Sequence, residues 1–215
     1  MPLSVMYDIY RTRKNRKNEN QRLALGRSGD RILFVIGLNP STATNIRPDS
    51  TITRIDKVAK INRFDGFVML NLCSLRSTYI NLLPLKISTT ILRYNEQVVV
   101  NLILANSKPS LWLAWGENII TKEYFSESLI RCYEALKDQK IIWLNFGPLT
   151  KNGHPRHPSR LNYGWNFTDF DIDGYIRSKV WMPRRFKPNS NTFAVSKQRA
   201  SRDPLAGSSA LRTGT

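Results

Sequence analysis

The sequence predicts an α/β fold, a three-layer sandwich around a central, mostly parallel sheet of four strands. Four short apolar runs, typical of strands buried on both faces, alternate with segments that have helical spacing. Each run also ends in a polar loop, as repeated strand and helix units do. Because ligands bind at the carboxyl ends of the strands in such folds, we expect the functional site in these four loops.

The first predicted strand covers residues 32–38 (ILFVIGL) and ends where Gly37 and Pro40 turn the chain. A helix is predicted over 50–63, since four apolar residues share one helical face: Ile52, Ile55, Val58 and Ala59. The second strand, residues 66–75 (GFVMLNLCSL), runs into a polar loop.

A second helix is predicted over 86–106, and it ends before Pro109. The residues expected to face the sheet are Ile91, Val98, Leu102 and Ala105. The third strand, 110–116 (SLWLAWG), precedes a helix over 124–136 with helical spacing at Leu129, Ile130, Tyr133 and Leu136. The fourth strand, 140–146 (KIIWLNF), leads into a long loop rich in Gly and Pro.

The predicted domain covers residues 31–182 and is flanked by two basic segments. Residues 1–30 are interpreted as a basic arm, because residues 11–31 are polar, cationic and without a clear period. Residues 183–215 have no sustained apolar period, and we interpret them as a disordered basic tail.

The charge of the chain predicts a polyanionic partner. The 215 residues include 33 Lys and Arg against 16 Asp and Glu, which gives a net charge of +17. Nucleic acid fits this excess. No apolar run approaches the roughly 20 residues that span a bilayer, so we expect no membrane partner and a cytoplasmic location. We also expect a monomer. Only two cysteines occur, Cys73 and Cys132, without the spacing of a zinc site, so neither a metal nor another cofactor is expected.

Three motifs lie in order at the predicted strand ends. Gly37-Leu38-Asn39-Pro40-Ser41 resembles the first motif of the uracil-DNA glycosylase superfamily in its mismatch-specific and thymine-DNA glycosylase form. His157-Pro158-Ser159-Arg160-Leu161-Asn162 resembles the second motif, and residues 71–78 are similar to a segment of the mismatch-specific branch. The pattern also resembles an uncharacterised family of bacteria and phages that looks like a branch of this superfamily.

The resemblance implies a monofunctional glycosylase that hydrolyses an N-glycosidic bond. That reaction leaves an oxocarbenium-like sugar and an anionic base, so the site must orient a water and stabilise the charge. By resemblance, Asn39 holds the water and His157 donates a hydrogen bond to the base. Asp49 either assists the water or caps the helix that follows.

By resemblance, Asn71 reads the edge of the flipped base with its amide donor and acceptor. The aromatic residue that other members carry after the first motif is missing from residues 42–53. Ile46, Phe64 or Trp115 is expected to replace it, or the pocket is wider. A wider pocket favours a bulky modified pyrimidine, such as the glucosylated hydroxymethylcytosine of phage DNA, over uracil or a mismatched base.

Several residues are expected to contact DNA. We expect Ser41 and Ser159 to contact the phosphates beside the target nucleotide. We expect the Leu161 side chain to fill the gap that the flipped base leaves in the stack. His154 lies in the same loop as His157 and is a substitute for it. The remaining predicted DNA contacts are Arg54, Arg76, Lys151, Arg156 and Arg160.

Two other functions remain open from the sequence. A non-catalytic nucleic-acid-binding protein would keep the fold and the phosphate contacts. A nucleotide or sugar-phosphate enzyme would use the same type of sheet. Against the latter, the chain has no glycine-rich phosphate loop of the GxGxxG or GxxxxGKS type.

Overall fold

The structure is a computed structural model that describes residues 6–14 and 20–180. It is a mixed α/β fold with one seven-stranded sheet. The strands are β1 Ile9–Lys14, β2 Asn20–Arg27, β3 Ile32–Gly37, β4 Gly66–Asn71, β5 Ser110–Leu113, β6 Ile142–Phe146 and β7 Phe167–Asp169. The helices are α1 Ser50–Ile61, α2 Thr89–Leu104, α3 Glu123–Leu136 and α4 Ile172–Lys179.

The sheet has the strand order β1-β2-β4-β3-β5-β6-β7. The four predicted strands are its middle, and β4, β3, β5 and β6 pair in parallel. The prediction of a four-stranded sheet is nevertheless wrong, because three antiparallel strands extend both edges and make the sheet mixed.

Helices cover both faces of the sheet. Successive residues of a strand point to opposite faces, and apolar strand residues on each face pack against helices. Leu33 and Val35 of β3 pack in a cluster with the buried face of α1. Phe34 and Ile36 pack in the opposite cluster with residues of α2, α3 and α4. Cys73 and Cys132 are buried free thiols in this second cluster.

The N-terminal segment is not the arm that its composition predicted. Residues 9–14 and 20–27 form an antiparallel pair, and β2 continues the sheet by pairing with β4. Gln21 and Arg22 are almost completely buried although both are polar. The predicted tail, 183–215, lies outside the described residues, and among the described ones no helix is long and apolar enough to cross a membrane.

Two predicted helix faces differ in the structure. In α2 the buried residues are Leu92, Asn95, Glu96, Val99, Val100, Leu102 and Ile103. Of the predicted face only Leu102 is buried, while Ala105 is exposed. The buried face includes Glu96, which pairs with Arg131 of α3: Arg131 Nη2 lies 2.7 Å from Glu96 Oε1. In α3, Tyr133 is only partly buried.

Candidate functional site

A cavity of about 900 Å³ lies at the carboxyl ends of the parallel strands. Loops after β3, β4, β5 and β6 build its wall, as expected for an open α/β sheet. Ten of the sixteen predicted site residues line it: Asn39, Ser41, Asp49, Asn71, Trp115, Lys151, Arg156, His157, Ser159 and Arg160.

Asn39 follows β3 and is held by the next loop. Its Nδ2 donates to the Ser77 carbonyl at 2.8 Å and to the Pro40 carbonyl at 3.1 Å. These bonds fix the amide so that Oδ1 is the free end, with no hydrogen-bond partner among the described residues. A fixed amide oxygen is an acceptor that can orient a water molecule.

His157 precedes the short 3-10 turn Pro158–Arg160, and its ring is held by Ser159. The Ser159 backbone N–H donates to His157 Nδ1 at 3.2 Å. Nδ1 is therefore an acceptor, and the neutral ring carries its proton on Nε2. Burial lowers the pKa of His157 below its ordinary 6.5, although Asp49 opposes this shift. The site thus holds a neutral imidazole with one N–H available.

Asn71 is the last residue of β4, and only 1% of its surface is exposed. Neither Nδ2 nor Oδ1 of its side chain has a hydrogen-bond partner among the described residues. Buried amides without partners are rare, because losing water without replacement costs free energy. Since this amide lines the cavity, a ligand is the natural partner for it.

Because Gly37 has no side chain, the side chain of Asn71 can lie directly beside it. The two residues are partners in the parallel β3–β4 ladder. A Cβ on residue 37 would lie 3.1 Å from Asn71 Oδ1 and 2.6 Å from Met69 Cε. A side chain at the end of β3 would therefore crowd the Asn71 amide and require Met69 to move.

Asp49 is the N-cap of α1, which was one of its two predicted roles. Its Oδ1 accepts from the Ile52 backbone N–H at 2.9 Å. The residue also lines the cavity and acts on His157 through its charge. Its direct action on a water therefore stays a prediction, while the capping role is observed.

The structure corrects two of the three predicted replacements for the missing aromatic residue. Phe64 is 6% exposed and packs edge-to-face on Phe167 in the core, away from the cavity. Ile46 is 39% exposed on the surface and is not part of the wall. Trp115 does line the cavity, and its Nε1 donates to the Tyr175 hydroxyl at 3.0 Å.

His154 is not a cavity residue and is therefore not placed to substitute for His157. It is 3% exposed, and its Nδ1 lies 2.8 Å from the Tyr175 hydroxyl. Since the Trp115 indole only donates, the Tyr175 hydroxyl oxygen accepts from Trp115, and the same oxygen is the hydrogen-bond partner of His154 Nδ1. On the other side of the ring, His154 Nε2 lies 3.7 Å from Glu117 Oε2.

Three further predicted DNA contacts lie outside the cavity wall. Leu161 is partly buried against the cluster on the α1 side. Arg76 donates to the Ala43 carbonyl at 2.8 Å and to the Tyr10 hydroxyl at 3.3 Å. Arg54 is half-buried on α1. Within the wall, Arg156 donates to the Pro148 and Leu149 carbonyls, which stiffens the loop that carries His157.

The sequence profile of one protein family, described as Protein of unknown function (DUF1643), matches residues 14–159. The chain therefore belongs to the DUF1643 family. No curated protein and no solved structure matches it. The DUF1643 match includes Asn39, Asn71 and His157, so the residues that converge on the cavity belong to the family region.

Sequence reasoning missed several residues of this DUF1643 cavity. Arg22 of β2 was hidden in the segment interpreted as an arm. Tyr79 and Glu117 follow strand ends, and that position is the signal that would have found them. In the described part of the chain, no cluster of three or more His, Cys, Asp or Glu has the arrangement of a metal site.

Proposed function

We propose that the protein is a DNA glycosylase that turns a pyrimidine nucleotide out of DNA and hydrolyses its N-glycosidic bond. One observation carries the proposal: the Asn39 amide, the His157 imidazole and the unpartnered Asn71 amide line the same cavity. The motifs that resemble the uracil-DNA glycosylase superfamily suggested these residues. Their convergence, from loops far apart in the chain, supports the resemblance.

Asn71 is suited to bind the flipped base. A buried amide with a free donor and a free acceptor pairs with the edge of a pyrimidine, which offers the complementary groups. The base would replace the hydrogen bonds that Asn71 lacks in the free protein. Part of the cost of turning the base out of the stack is offset in this way.

His157 is suited to stabilise the leaving base. When the bond to the sugar breaks, its electron pair passes to the base, and negative charge develops on a carbonyl oxygen. The Nε2–H of a neutral imidazole can donate to that oxygen. The Ser159 N–H keeps the ring in this tautomer, and burial keeps it neutral by lowering the pKa of His157.

Asn39 is suited to orient the attacking water toward C1′ of the sugar. Its Oδ1 accepts a hydrogen bond from the water, but an amide takes up a proton poorly. We therefore expect slower hydrolysis than with a carboxylate at this position. The negative charge of Asp49, in the same wall, favours the cationic sugar of the transition state.

The rim of the cavity fits the DNA backbone. Lys151, Ser159 and Arg160 are exposed, and together with Ser41 they line the cavity. These groups would hold the phosphates on either side of the flipped nucleotide. The net charge of +17 favours the same partner.

The size of the cavity favours a large base. A volume of about 900 Å³ lies near the upper end of the 300–1,000 Å³ that small-molecule sites usually have. The residues assigned to the phosphates share this volume, and it still has room for a base as large as a glucosylated hydroxymethylcytosine. A modified cytosine of phage DNA, and hence a role in defence, is the substrate class we favour.

The test is to incubate the purified protein with DNA that contains uracil, mismatched thymine or glucosylated hydroxymethylcytosine. Released bases are identified by mass spectrometry and abasic sites by alkaline cleavage. We expect release of the modified cytosine, and a loss of about 10²- to 10³-fold in rate for His157→Ala. His154→Gln, a change at the other histidine of the chain, should retain activity.

A non-catalytic DNA-binding protein is the second candidate. Asn39 Nδ2 already donates to two backbone carbonyls of the protein, those of Pro40 and Ser77, and this favours a structural role for Asn39. It predicts salt-sensitive DNA binding without abasic product on any substrate. Release of a base that survives both Asn39→Ala and His157→Ala would contradict the catalytic roles assigned above.

A further inference from the structure

Arg22 places a buried positive charge in the cavity wall. It lies in β2, is 2% exposed and lines the cavity. Its Nη1 donates to the Ala43 carbonyl at 3.1 Å, while its buried Nε has no hydrogen-bond partner among the described residues. The guanidinium therefore keeps unused donors at a place that water hardly reaches.

The surroundings of Arg22 do not neutralise it. No ion pair within 4.0 Å joins it to a carboxylate in the described part of the chain. Arg76 donates to the same Ala43 carbonyl at 2.8 Å, so a second cation lies beside it. Burial, with a contribution from Arg76, lowers the pKa of Arg22 to about 10, while the charge of Asp49 opposes the shift.

An unpaired buried ion is costly, by several kcal/mol in proteins. Arg22 still holds its proton at neutral pH, since a pKa of about 10 lies well above it. In a cavity wall, a ligand with negative charge would pair with the guanidinium and supply the missing acceptors. The free protein is thus prepared for an anion at this position.

We propose that Arg22 binds a carboxylate or phosphate group carried by the part of the ligand that enters the cavity. This rests on the proposed function, in which that part is a flipped base, and among modified bases it favours one with an anionic substituent over the uncharged glucosylated hydroxymethylcytosine. The phosphates of the DNA backbone match the exposed Lys151 and Arg160 at the rim better than a residue that is 2% exposed.

The test compares the affinity of the protein for two DNA duplexes by fluorescence anisotropy. One duplex carries 5-carboxycytosine and the other its neutral carboxamide analogue. We expect the carboxylate to bind about 10- to 100-fold more tightly, as for a hydrogen bond to a charged group. Arg22→Gln should abolish this preference, and Arg22→Lys should retain part of it. Arg160→Gln, at the rim, should weaken both duplexes equally.

Free nucleotides distinguish the source of the anion. If inorganic phosphate or dCMP raises the Tm of the wild-type protein but not of Arg22→Gln, the anion comes from a free nucleotide rather than from a DNA base. Equal affinity for the two duplexes together with no Tm shift by phosphate or dCMP would overturn the proposal. A preference that survives Arg22→Gln would also overturn it.

The measurement separates this inference from the proposed function, because it records binding and needs no base release. A carboxylate preference without glycosylase activity would support Arg22 as an anion site and contradict the reaction. The fold of Arg22→Gln is checked by its Tm, which should not fall, since the change removes an unpaired buried charge.

Discussion

His154 Nδ1 lies 2.8 Å from the hydroxyl oxygen of Tyr175, and this bond ties the loop after β6 to helix α4. The same hydroxyl oxygen accepts a hydrogen bond from Trp115 Nε1 at 3.0 Å. The His154 ring is 3% exposed, and burial disfavours the charged imidazolium.

Acidification is therefore expected to destabilise the fold. Burial lowers the pKa of His154 below its ordinary 6.5, so the unfolded chain binds a proton that the folded chain resists. The contribution of the neutral His154 to the free energy of unfolding should be complete above about pH 6.5. It should be lost as the pH falls toward the pKa of His154 in the folded protein. Urea unfolding from about pH 8 to about pH 5 measures this fall. A His154→Gln variant with an unchanged pH dependence would contradict it.

Gly116→Ala should reduce both stability and activity. Residue 116 has φ 69° and ψ −166°, a region that essentially only glycine occupies, and a Cβ there would lie 3.2 Å from His157 Cβ. We expect a loss of about 1–3 kcal/mol in denaturant unfolding, and slower base release because His157 moves. Gly153→Ala is the matched control, since φ is also positive but the contact is with the flexible end of Lys179. Its rate of base release should stay normal.

Asp49 allows capping and charge to be separated. Asp49→Ala should cost about 1 kcal/mol of stability through the lost N-cap, whereas Asp49→Asn should cost much less because asparagine also caps. The carboxylate of Asp49 raises the pKa of His157 against the effect of burial. Asp49→Asn should therefore lower that pKa further. An NMR titration in the His154→Gln background follows His157 alone, and an unchanged pKa would refute the coupling.

Leu161→Ala tests the wedge that the second motif implies. If Leu161 fills the gap left by the flipped base, its removal should slow release from duplex DNA more than from single strands. Tyr79→Ala is the comparison, because Tyr79 is 65% exposed at the cavity and should affect both substrates alike. If Leu161→Ala slows release equally from duplex and from single-stranded DNA, the wedge is contradicted. The role of Leu161 is then only to pack against the hydrophobic cluster on the α1 side.

The parallel centre of the sheet could be predicted because its strands are buried on both faces and so are apolar throughout. All residues of β3 and β4 are buried, and they stand out in the sequence as unbroken runs. Strand β2 could not be found in this way. Its Gln21 and Arg22 are buried polar residues, and their burial depends on partners distant in the chain, such as Ser74, whose hydroxyl donates to Gln21 Oε1.

The candidate site was predictable where a motif carries it. Asn71 ends a strand, Asn39 and His157 lie in loops that follow strands, and all three fall in recognisable patterns that the structure brings to one cavity. Ile46 and Phe64 were misplaced because the sequence does not show which side of a loop or helix end faces the sheet. Arg22 reaches the wall from β2, which lies between β1 and β4, and no local pattern marks that approach.

The pairing of β2 with β4 has a consequence for shortened forms of the protein. Strand β4 is completely buried, and β2 covers its outer edge. A chain that starts at residue 31 would expose the backbone N–H and C=O groups of an apolar strand, which is a template for joining another molecule edge to edge. Removing the basic N-terminal segment should therefore cause aggregation, even though its charges would suggest that it merely aids solubility.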